Sequence, residues 1–118
     1  MHVDITPVND VVLVRPEGRL TIGSGDIQLR NTLVKLAAEG HKKVVLALDG
    51  IISADSSGLG ELVSAFTSLT SHDGHLVLAD LSPKIHDLLT VTGLISIFEV
   101  YDNADDAIRS FEHRRRDA

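Results

Sequence analysis

Asp55–Ser56–Ser57 is the stretch of this sequence whose residue types best suit chemistry, and two glycines, Gly58 and Gly60, follow it. A polar residue at the start of a helix can accept a hydrogen bond from a free backbone amide, which stabilises the helix by about 1 kcal/mol. Such a cap would account for one of the three polar residues and leave two for another role. Glycines are poor helix formers, but they let a large partner approach the backbone closely.

Phosphorylation is a modification that this stretch would accommodate. A phosphate on Ser56 or Ser57 would carry a charge of about −1.5 to −2 and would lie at the positive end of a helix. The fold would tolerate that group, whereas the surface beside Asp55 would become strongly negative and a docked partner would lose contact. These residues therefore indicate a protein-binding surface that phosphorylation controls.

The neighbouring apolar patterns predict how the serines are positioned. Residues 44–48 are apolar without alternation, which is typical of a parallel strand that is covered on both faces. After the serines, apolar residues recur with helical spacing at Leu59, Leu62, Val63, Phe66 and Leu69. A strand is therefore predicted to run into a turn that places both serines at the start of a helix. In open α/β sheets, ligands and partners usually meet the protein at this edge.

The amino-terminal part of the chain predicts an antiparallel hairpin. Residues 3–5 alternate and precede Pro7, as expected of an edge strand, and residues 11–14 form the second strand. This second strand is predicted to stop at residues 16–18. A connector rich in small residues would then lead to a helix that Asp26 caps.

Strand and helix patterns alternate in the rest of the chain. Apolar strands are predicted at residues 76–79 and 97–101, and Ser82 and Asn103 would cap the helices that follow them. Three successive strand–helix units at short spacing imply parallel strands with right-handed crossovers. The expected fold is a single α/β domain over residues 1–118. Its mixed β-sheet would begin with the N-terminal antiparallel edge hairpin, continue with parallel βα units and carry about four helices.

Composition narrows the classes of function. The chain has 118 residues and no cysteine, which excludes a disulfide framework, cysteine zinc ligands and a cysteine nucleophile. The net charge of −6 disfavours binding to nucleic acid, and the basic residues 114–116 are interpreted as favourable charge at a helix C-terminus. No apolar run approaches the roughly 20 residues that span a bilayer, and no signal-peptide pattern is present. We expect a soluble, cytoplasmic protein without membrane insertion.

Sites for catalysis, nucleotides and metals are poorly encoded. Residues 54–58 lack the first glycine of the Gly-x-Ser-x-Gly motif of α/β hydrolases. Val63 stands where a dinucleotide loop would carry its third glycine, and residues 23–25 lack the Lys–Ser/Thr pair of a Walker loop. Residues 72–75 hold two histidines and an aspartate but no evident further ligands, and are interpreted as a turn. We expect no enzymatic activity, no cofactor and no metal.

The stretch Asp55–Ser56–Ser57–Gly58–Leu59–Gly60 resembles the signature of the STAS domain family, in particular that of bacterial anti-sigma factor antagonists. The resemblance covers nearly the whole chain. It includes the amino-terminal hairpin, residues 18–20 after it, residues 81–85 before the next helix and residues 92–94 before the last strand. It implies the STAS fold and a STAS domain over residues 1–118.

The family implies a partner-switching mechanism. The unphosphorylated antagonist binds an anti-sigma factor that is also a serine kinase, and so frees the sigma factor. The kinase uses ATP to phosphorylate the first serine of the signature, here Ser56, and the antagonist then dissociates until a serine phosphatase restores it. By this resemblance the partner-binding surface around Ser56 comprises Asp55, Ser57, Gly58, Leu59, Gly60 and Thr21. Thr21 departs from the family pattern, because many members carry an aspartate at that position.

Two other classes of function stay open at the level of the sequence. One is a STAS subunit of a stress-signalling complex, or a cytoplasmic regulator of a membrane transporter. In such an assembly the same surface would be a permanent interface, and Ser56 would never be phosphorylated. The other class is a small enzyme or nucleotide binder, for which no catalytic constellation is evident.

Overall fold

The computed structural model of the chain describes the backbone of residues 1–117 and the side chains of residues 1–112. Strands and helices alternate along most of this length, and a short 3-10 helix at Leu94–Ser96 precedes the last strand. The elements are β1 (His2–Val8), β2 (Val11–Leu20), α1 (Asp26–Ala38), β3 (Lys43–Ala47), β4 (Ile51–Ala54), α2 (Ser56–Ser71), β5 (His75–Ala79), α3 (Pro83–Val91), β6 (Glu99–Tyr101) and α4 (Ala104–Asp117). The predicted α/β class, with four helices among the described residues, is confirmed.

The strands form one mixed sheet in the order β1-β2-β3-β5-β6, and β4 pairs with β2 beside this path. β1 and β2 are antiparallel, with His2 opposite Glu17 and Val8 opposite Val11. The pairs β2–β3, β3–β5 and β5–β6 are parallel. The predicted amino-terminal hairpin and the parallel βα units are therefore confirmed, and β1 is an edge strand that tolerates Pro7.

The second strand is longer than the sequence predicts. It does not stop at residues 16–18 but continues to Leu20. On the side of β2 that faces β3 and β4, residues 12–14 pair with β3 and residues 18–20 pair with β4, so Pro16 falls between the two paired segments. On the other side of β2, Pro16 lies opposite Val3 of β1. A proline disrupts a strand where its missing amide would have donated a hydrogen bond. Between two paired segments this loss is tolerated, and the strand passes through the proline.

A further strand, β4, separates β3 from the serines. The prediction that β3 turns directly into the helix is wrong, because the chain first turns at Gly50 and then pairs Ile51 with Gly18. A Cβ atom on Gly50 would lie 2.7 Å from the carbonyl oxygen of Pro16, so the turn packs too closely on β2 for a side chain. With a length of 4 residues, β4 is too short to show a period of its own and is defined by its pairing with β2.

The two faces of the sheet are covered differently. α1, α2 and α3 pack on one face, and α4 packs on the other through Ala107 and Phe111. The apolar stripe predicted for α2 faces the core: Leu59, Leu62 and Leu69 are buried, and Val63 and Phe66 are partly buried. In the part of the chain that the structure describes, no helix is both long enough and apolar enough to span a bilayer.

The predicted helix caps of α3 and α4 are confirmed. The backbone amide of Ile85 donates to Ser82 Oγ at 3.3 Å, and that of Asp106 donates to Asn103 Oδ1 at 2.9 Å. The last strand begins later than the predicted residue 97, because the 3-10 helix at Leu94–Ser96 is followed by a turn at Ile97 and Phe98 before Glu99. The charge interaction expected of residues 114–116 lies outside the described side chains.

Candidate functional site

Asp55 fixes the start of α2 to the loop that follows β2. It is the N-cap of α2, and its Oδ1 accepts a hydrogen bond from the Gly58 amide at 2.9 Å. Its Oδ2 accepts another from the Ile22 amide, also at 2.9 Å. The Asp55 amide in turn donates to the carbonyl of Leu20 at 3.3 Å. One side chain therefore holds two separate segments of the chain in register.

These hydrogen bonds also set the charge of Asp55. The amide of Ile22, followed by that of Gly58, holds the pKa of the Asp55 carboxyl below its usual value. A backbone N–H that donates to a carboxylate stabilises the ionised form, which is why the pKa falls. Asp55 is therefore a fixed negative charge beside the serines at neutral pH.

Ser56 is the first residue of α2 and is exposed. Its hydroxyl makes no hydrogen bond with any residue in the described part of the chain. Because Asp55 supplies the cap, the Ser56 hydroxyl is not needed to satisfy an amide of the helix. A hydroxyl in this setting can enter the active site of another enzyme without disturbing the fold.

Ser57 differs from Ser56 although the two residues are adjacent. It is partly buried, and its Oγ donates to Asp26 Oδ2 at 3.1 Å. Asp26 is the first residue of α1 and is only 4% exposed. The prediction that Asp26 caps α1 is wrong, because the N-cap is Gly25, with φ of 85°, and the helix has no side-chain cap. The Asp26 carboxylate instead contacts the neighbouring helix.

Gly58 and Leu59 lie inside the protein and not on its surface. A Cβ atom on Gly58 would overlap the carbonyl oxygen of Leu20 and lie 2.6 Å from its carbonyl carbon. Leu59 is 3% exposed and belongs to the core. The expectation that these two residues form part of a docking surface is therefore wrong, because they pack α2 against β2. Gly60 is exposed with open space around it, so it can belong to such a surface.

Thr21 lies in a tight turn beside the start of α2. Its amide donates to the carbonyl of Ser24 at 3.1 Å, and its carbonyl accepts from the Ser24 amide at 2.9 Å. The turn presents the Ile22 amide to Asp55. The connector predicted after β2 therefore contains a hydrogen-bonded turn that Asp55 holds against α2.

Three exposed isoleucines stand close in sequence to residues of this site, and no sequence pattern marks them. Ile22, Ile52 and Ile27 are 75%, 65% and 52% exposed. Ile22 is hydrogen-bonded to Asp55, Ile52 belongs to the strand that leads into α2, and Ile27 follows Asp26. Isolated apolar residues in a turn or a short strand have no periodic signal, so their exposure is evident only in the structure. Exposed apolar residues beside a candidate site are typical of a binding surface.

The carboxylates at the neighbouring strand ends are not free. Arg15 donates from Nη1 to both oxygens of Asp49 at 2.8 Å, and its Nη2 lies 3.8 Å from Asp80 Oδ2.

His72 and His75 lie at the turn between α2 and β5, and His72 Nδ1 is 2.7 Å from the carbonyl oxygen of Ser68. Among the described residues, no group of three or more histidine, aspartate or glutamate side chains could hold a metal ion.

The family model described as the STAS domain matches residues 2–107 of this chain. The chain belongs to the STAS domain family. The resemblance noted in the sequence is thereby confirmed, and the stretch from Asp55 to Gly60 lies within the matched range.

Relatives and solved structures agree with this assignment. The chain is 26% identical to the anti-sigma F factor antagonist of Paenibacillus polymyxa over 95% of this chain and 96% of the relative. The crystal structure of a candidate anti-sigma factor antagonist from Thermotoga maritima is 27% identical, covers 92% of each chain and has a TM-score of 0.84. The phosphorylated form of the Bacillus protein SpoIIAA is 20% identical, covers 93% of this chain and 99% of the other, and has a TM-score of 0.70. At that lower identity the likeness to SpoIIAA shows the fold alone.

Proposed function

We propose that this protein is an anti-sigma factor antagonist that acts by partner switching. Its unphosphorylated form binds an anti-sigma factor that is also a serine kinase, and the sigma factor is released. Phosphorylation of Ser56 separates the two proteins, and a serine phosphatase reverses the modification. The observation that carries the proposal is the Ser56 hydroxyl, which is exposed and unpartnered at the capped start of α2. The names of the relatives, as antagonists of anti-sigma factors, support the same function.

The protein is the substrate of the transfer, and the kinase supplies the catalytic groups. The Ser56 oxygen attacks the γ-phosphorus of ATP, and a new O–P bond forms. The bond between this phosphorus and the bridging oxygen breaks, ADP leaves with that electron pair, and the serine proton passes to a base of the kinase. In the reverse step, the phosphatase adds water across the O–P bond and returns serine and inorganic phosphate. The kinase, the phosphatase and ATP place this cycle in the cytoplasm.

The phosphate would change the surface without unfolding the domain. At the first residue of α2 it would lie at the positive end of the helix, where a negative charge is stabilised. Asp55 next to it is already ionised, so the local charge would become about −2.5 to −3. A partner that packs on this surface would have to remove water from these charges, and burying an unpaired charge is costly. The phosphorylated form is therefore released.

The proposed partner docks on a surface of this protein that consists of the exposed residues around Ser56. Ile22 and Ile52 provide apolar area, and Gly60 lets the partner approach the first turns of α2 closely. Thr21 belongs to this surface because its turn presents Ile22. Asp55 contributes a fixed negative charge at the rim, which favours a partner with a basic group at that point.

Binding of the serine-kinase anti-sigma factor of the same genome tests the proposal. We expect Ser56→Ala to bind like the unmodified protein, and Ser56→Asp to bind at least about tenfold more weakly because it places an unpaired charge in the interface. The matched control is Ser64→Asp, which adds the same charge to an exposed position of α2 two turns further on. Its affinity should be unchanged in a calorimetric titration. Unchanged affinity of Ser56→Asp, with its fold intact by circular dichroism, would contradict the proposal.

A further inference from the structure

Asp26 is the one charged residue among the described side chains that is buried, and the proposed function does not use it. Its carboxylate is 4% exposed and accepts a hydrogen bond from Ser57 Oγ at 3.1 Å. A buried carboxylate is costly unless it is hydrogen-bonded or lies near positive charge. The Ser57 hydroxyl supplies the hydrogen bond, and the amino-terminal end of α1 supplies partial positive charge.

The contact between Asp26 and Ser57 has consequences for both residues. The single proton of the Ser57 hydroxyl is donated to Asp26, so the Ser57 oxygen is held toward α1 and away from an incoming phosphate donor. A phosphate on Ser57 would remove this donor and place a dianion about 3 Å from a buried carboxylate, where like charges repel strongly. Ser56, one residue earlier, is exposed, and the carboxylate of the adjacent Asp55 accepts hydrogen bonds from the amides of Gly58 and Ile22 and not from the Ser56 hydroxyl.

We propose that Asp26 is a positioning residue that makes phosphorylation selective for Ser56, by holding the Ser57 hydroxyl in a hydrogen bond and by repelling a phosphate there. The two serines are otherwise close equivalents, since both stand in the first turn of α2 and follow the same cap. Their chemical difference comes from α1, which approaches Ser57 and leaves Ser56 exposed. This inference rests on the proposed function, because it concerns the serine that the kinase modifies.

The selectivity of phosphorylation between the two serines can be measured in variants in which Ser56 is replaced by alanine. The unmodified protein, Ser56→Ala, and the double variants Ser56→Ala/Asp26→Asn and Ser56→Ala/Asp26→Ala are incubated with the serine-kinase anti-sigma factor of the same genome and ATP, and phosphate is mapped by mass spectrometry. We expect phosphate on Ser56 alone in the unmodified protein and none on Ser56→Ala. Both double variants should gain phosphate on Ser57, at a rate at least about tenfold above the detection limit that Ser56→Ala does not reach. Ser56→Ala/Leu29→Ala is the control, because it loosens the core contact of α1 without touching Ser57.

A second measurement needs no kinase. Ser57→Asp mimics a phosphate beside Asp26 and should raise the unfolding equilibrium constant at least about tenfold, whereas Ser56→Asp should leave it nearly unchanged. Asp26→Asn should restore most of the stability that Ser57→Asp loses, and it should have no such effect in Ser56→Asp. The coupling energy from urea unfolding of the four combinations isolates the pair from general effects of each substitution.

The outcomes separate the inference from the proposed function. Phosphate on Ser57 in the Asp26 variants, together with coupling between positions 26 and 57, supports the role of Asp26. The inference is overturned if Ser56→Ala carries phosphate on Ser57, if the double variants carry none, or if Leu29→Ala redirects the phosphate equally well. In each of these cases phosphate on Ser56 of the unmodified protein still supports the proposed function. No phosphate on any variant overturns the proposed function, and the selectivity with it.

Discussion

α2 and α3 begin in similar ways but offer different chemistry. Each helix follows a parallel strand, and each has a polar N-cap residue that accepts a hydrogen bond from an amide in the first turn. In α3 the cap is a serine, Ser82, whose hydroxyl is used for this purpose and is followed by Pro83. In α2 the cap is Asp55, and a serine with a free hydroxyl follows it. A serine near a helix start is therefore available for modification when another residue provides the cap.

The two helix starts also differ in what lies behind them. The third residue of α2, Gly58, touches the backbone of β2, and Asp55 joins the same helix start to the loop at Ile22. The third residue of α3 is Ile85, a large side chain that is 2% exposed in the core. The start of α2 is held by backbone contacts on its inner side, which leaves its outer side free for Ser56. Such a rigid support suits the proposed role of Ser56 as the substrate of another enzyme.

The largest effect is expected from Gly58→Ala. Its Cβ atom would overlap the carbonyl oxygen of Leu20, which is backbone and cannot move aside without shifting β2. We expect a loss of about 3 kcal/mol in the free energy of unfolding. Gly60→Ala is the matched control on the same helix, because its Cβ would meet no atom within 4 Å. It should stabilise the protein by about 0.5 to 1 kcal/mol, since alanine is the better helix former. Equal effects of the two variants in urea unfolding would refute the close contact.

A smaller effect is expected at the exposed isoleucines. Ile22→Ser should weaken binding of the anti-sigma factor about tenfold, because it removes apolar area that the proposed interface buries. Val91→Ser, at the end of α3, is the control, since Val91 is 84% exposed and Ile22 is 75% exposed. The control should keep full affinity, and neither variant should lose much stability. If both variants lose affinity equally, the docking surface extends beyond the start of α2.

The smallest effect is expected in how the stability that each helix cap provides changes with pH. Because the pKa of Asp55 is lowered in the folded state, its stabilisation is fully present above the unfolded pKa, near 3.8, and is lost as the pH falls through the folded value. The difference in thermal midpoint between the unmodified protein and Asp55→Asn should therefore shrink below about pH 4. Ser82→Ala should lower stability by about 1 kcal/mol at every pH, because a serine hydroxyl does not titrate in this range. A constant difference for Asp55→Asn down to about pH 2 would show that its charge plays no part.

Local signals allowed much of this fold to be predicted. The alternation before Pro7, the apolar run at residues 44–48 and the caps Ser82 and Asn103 each depend on neighbours in the sequence. The same holds for the apolar stripe of α2. These elements placed the serines at the start of a helix, although the strand that leads into that helix is β4 and not the apolar run at residues 44–48.

Contacts between distant segments explain the features that the sequence did not reveal. β4 exists because it pairs with β2, and Gly58 is needed because Leu20 lies behind it. The difference between Ser56 and Ser57 depends on Asp26, which is 31 residues from Ser57 in the chain. No short-range pattern encodes these contacts. They could be recognised only once α1 and β2 were seen to pack against the start of α2.

The Ser56 hydroxyl is the proposed site of a reversible phosphorylation. The most direct measurement is mass-spectrometric mapping of phosphate after the unmodified protein is incubated with the serine-kinase anti-sigma factor of the same genome and ATP. A single phosphate on Ser56, with loss of the complex between the two proteins, is the predicted result. Phosphate on Ser57 alone would contradict the assignment of the site. No phosphate on any residue, with a complex that persists, would contradict partner switching and favour a permanent interface at the same surface.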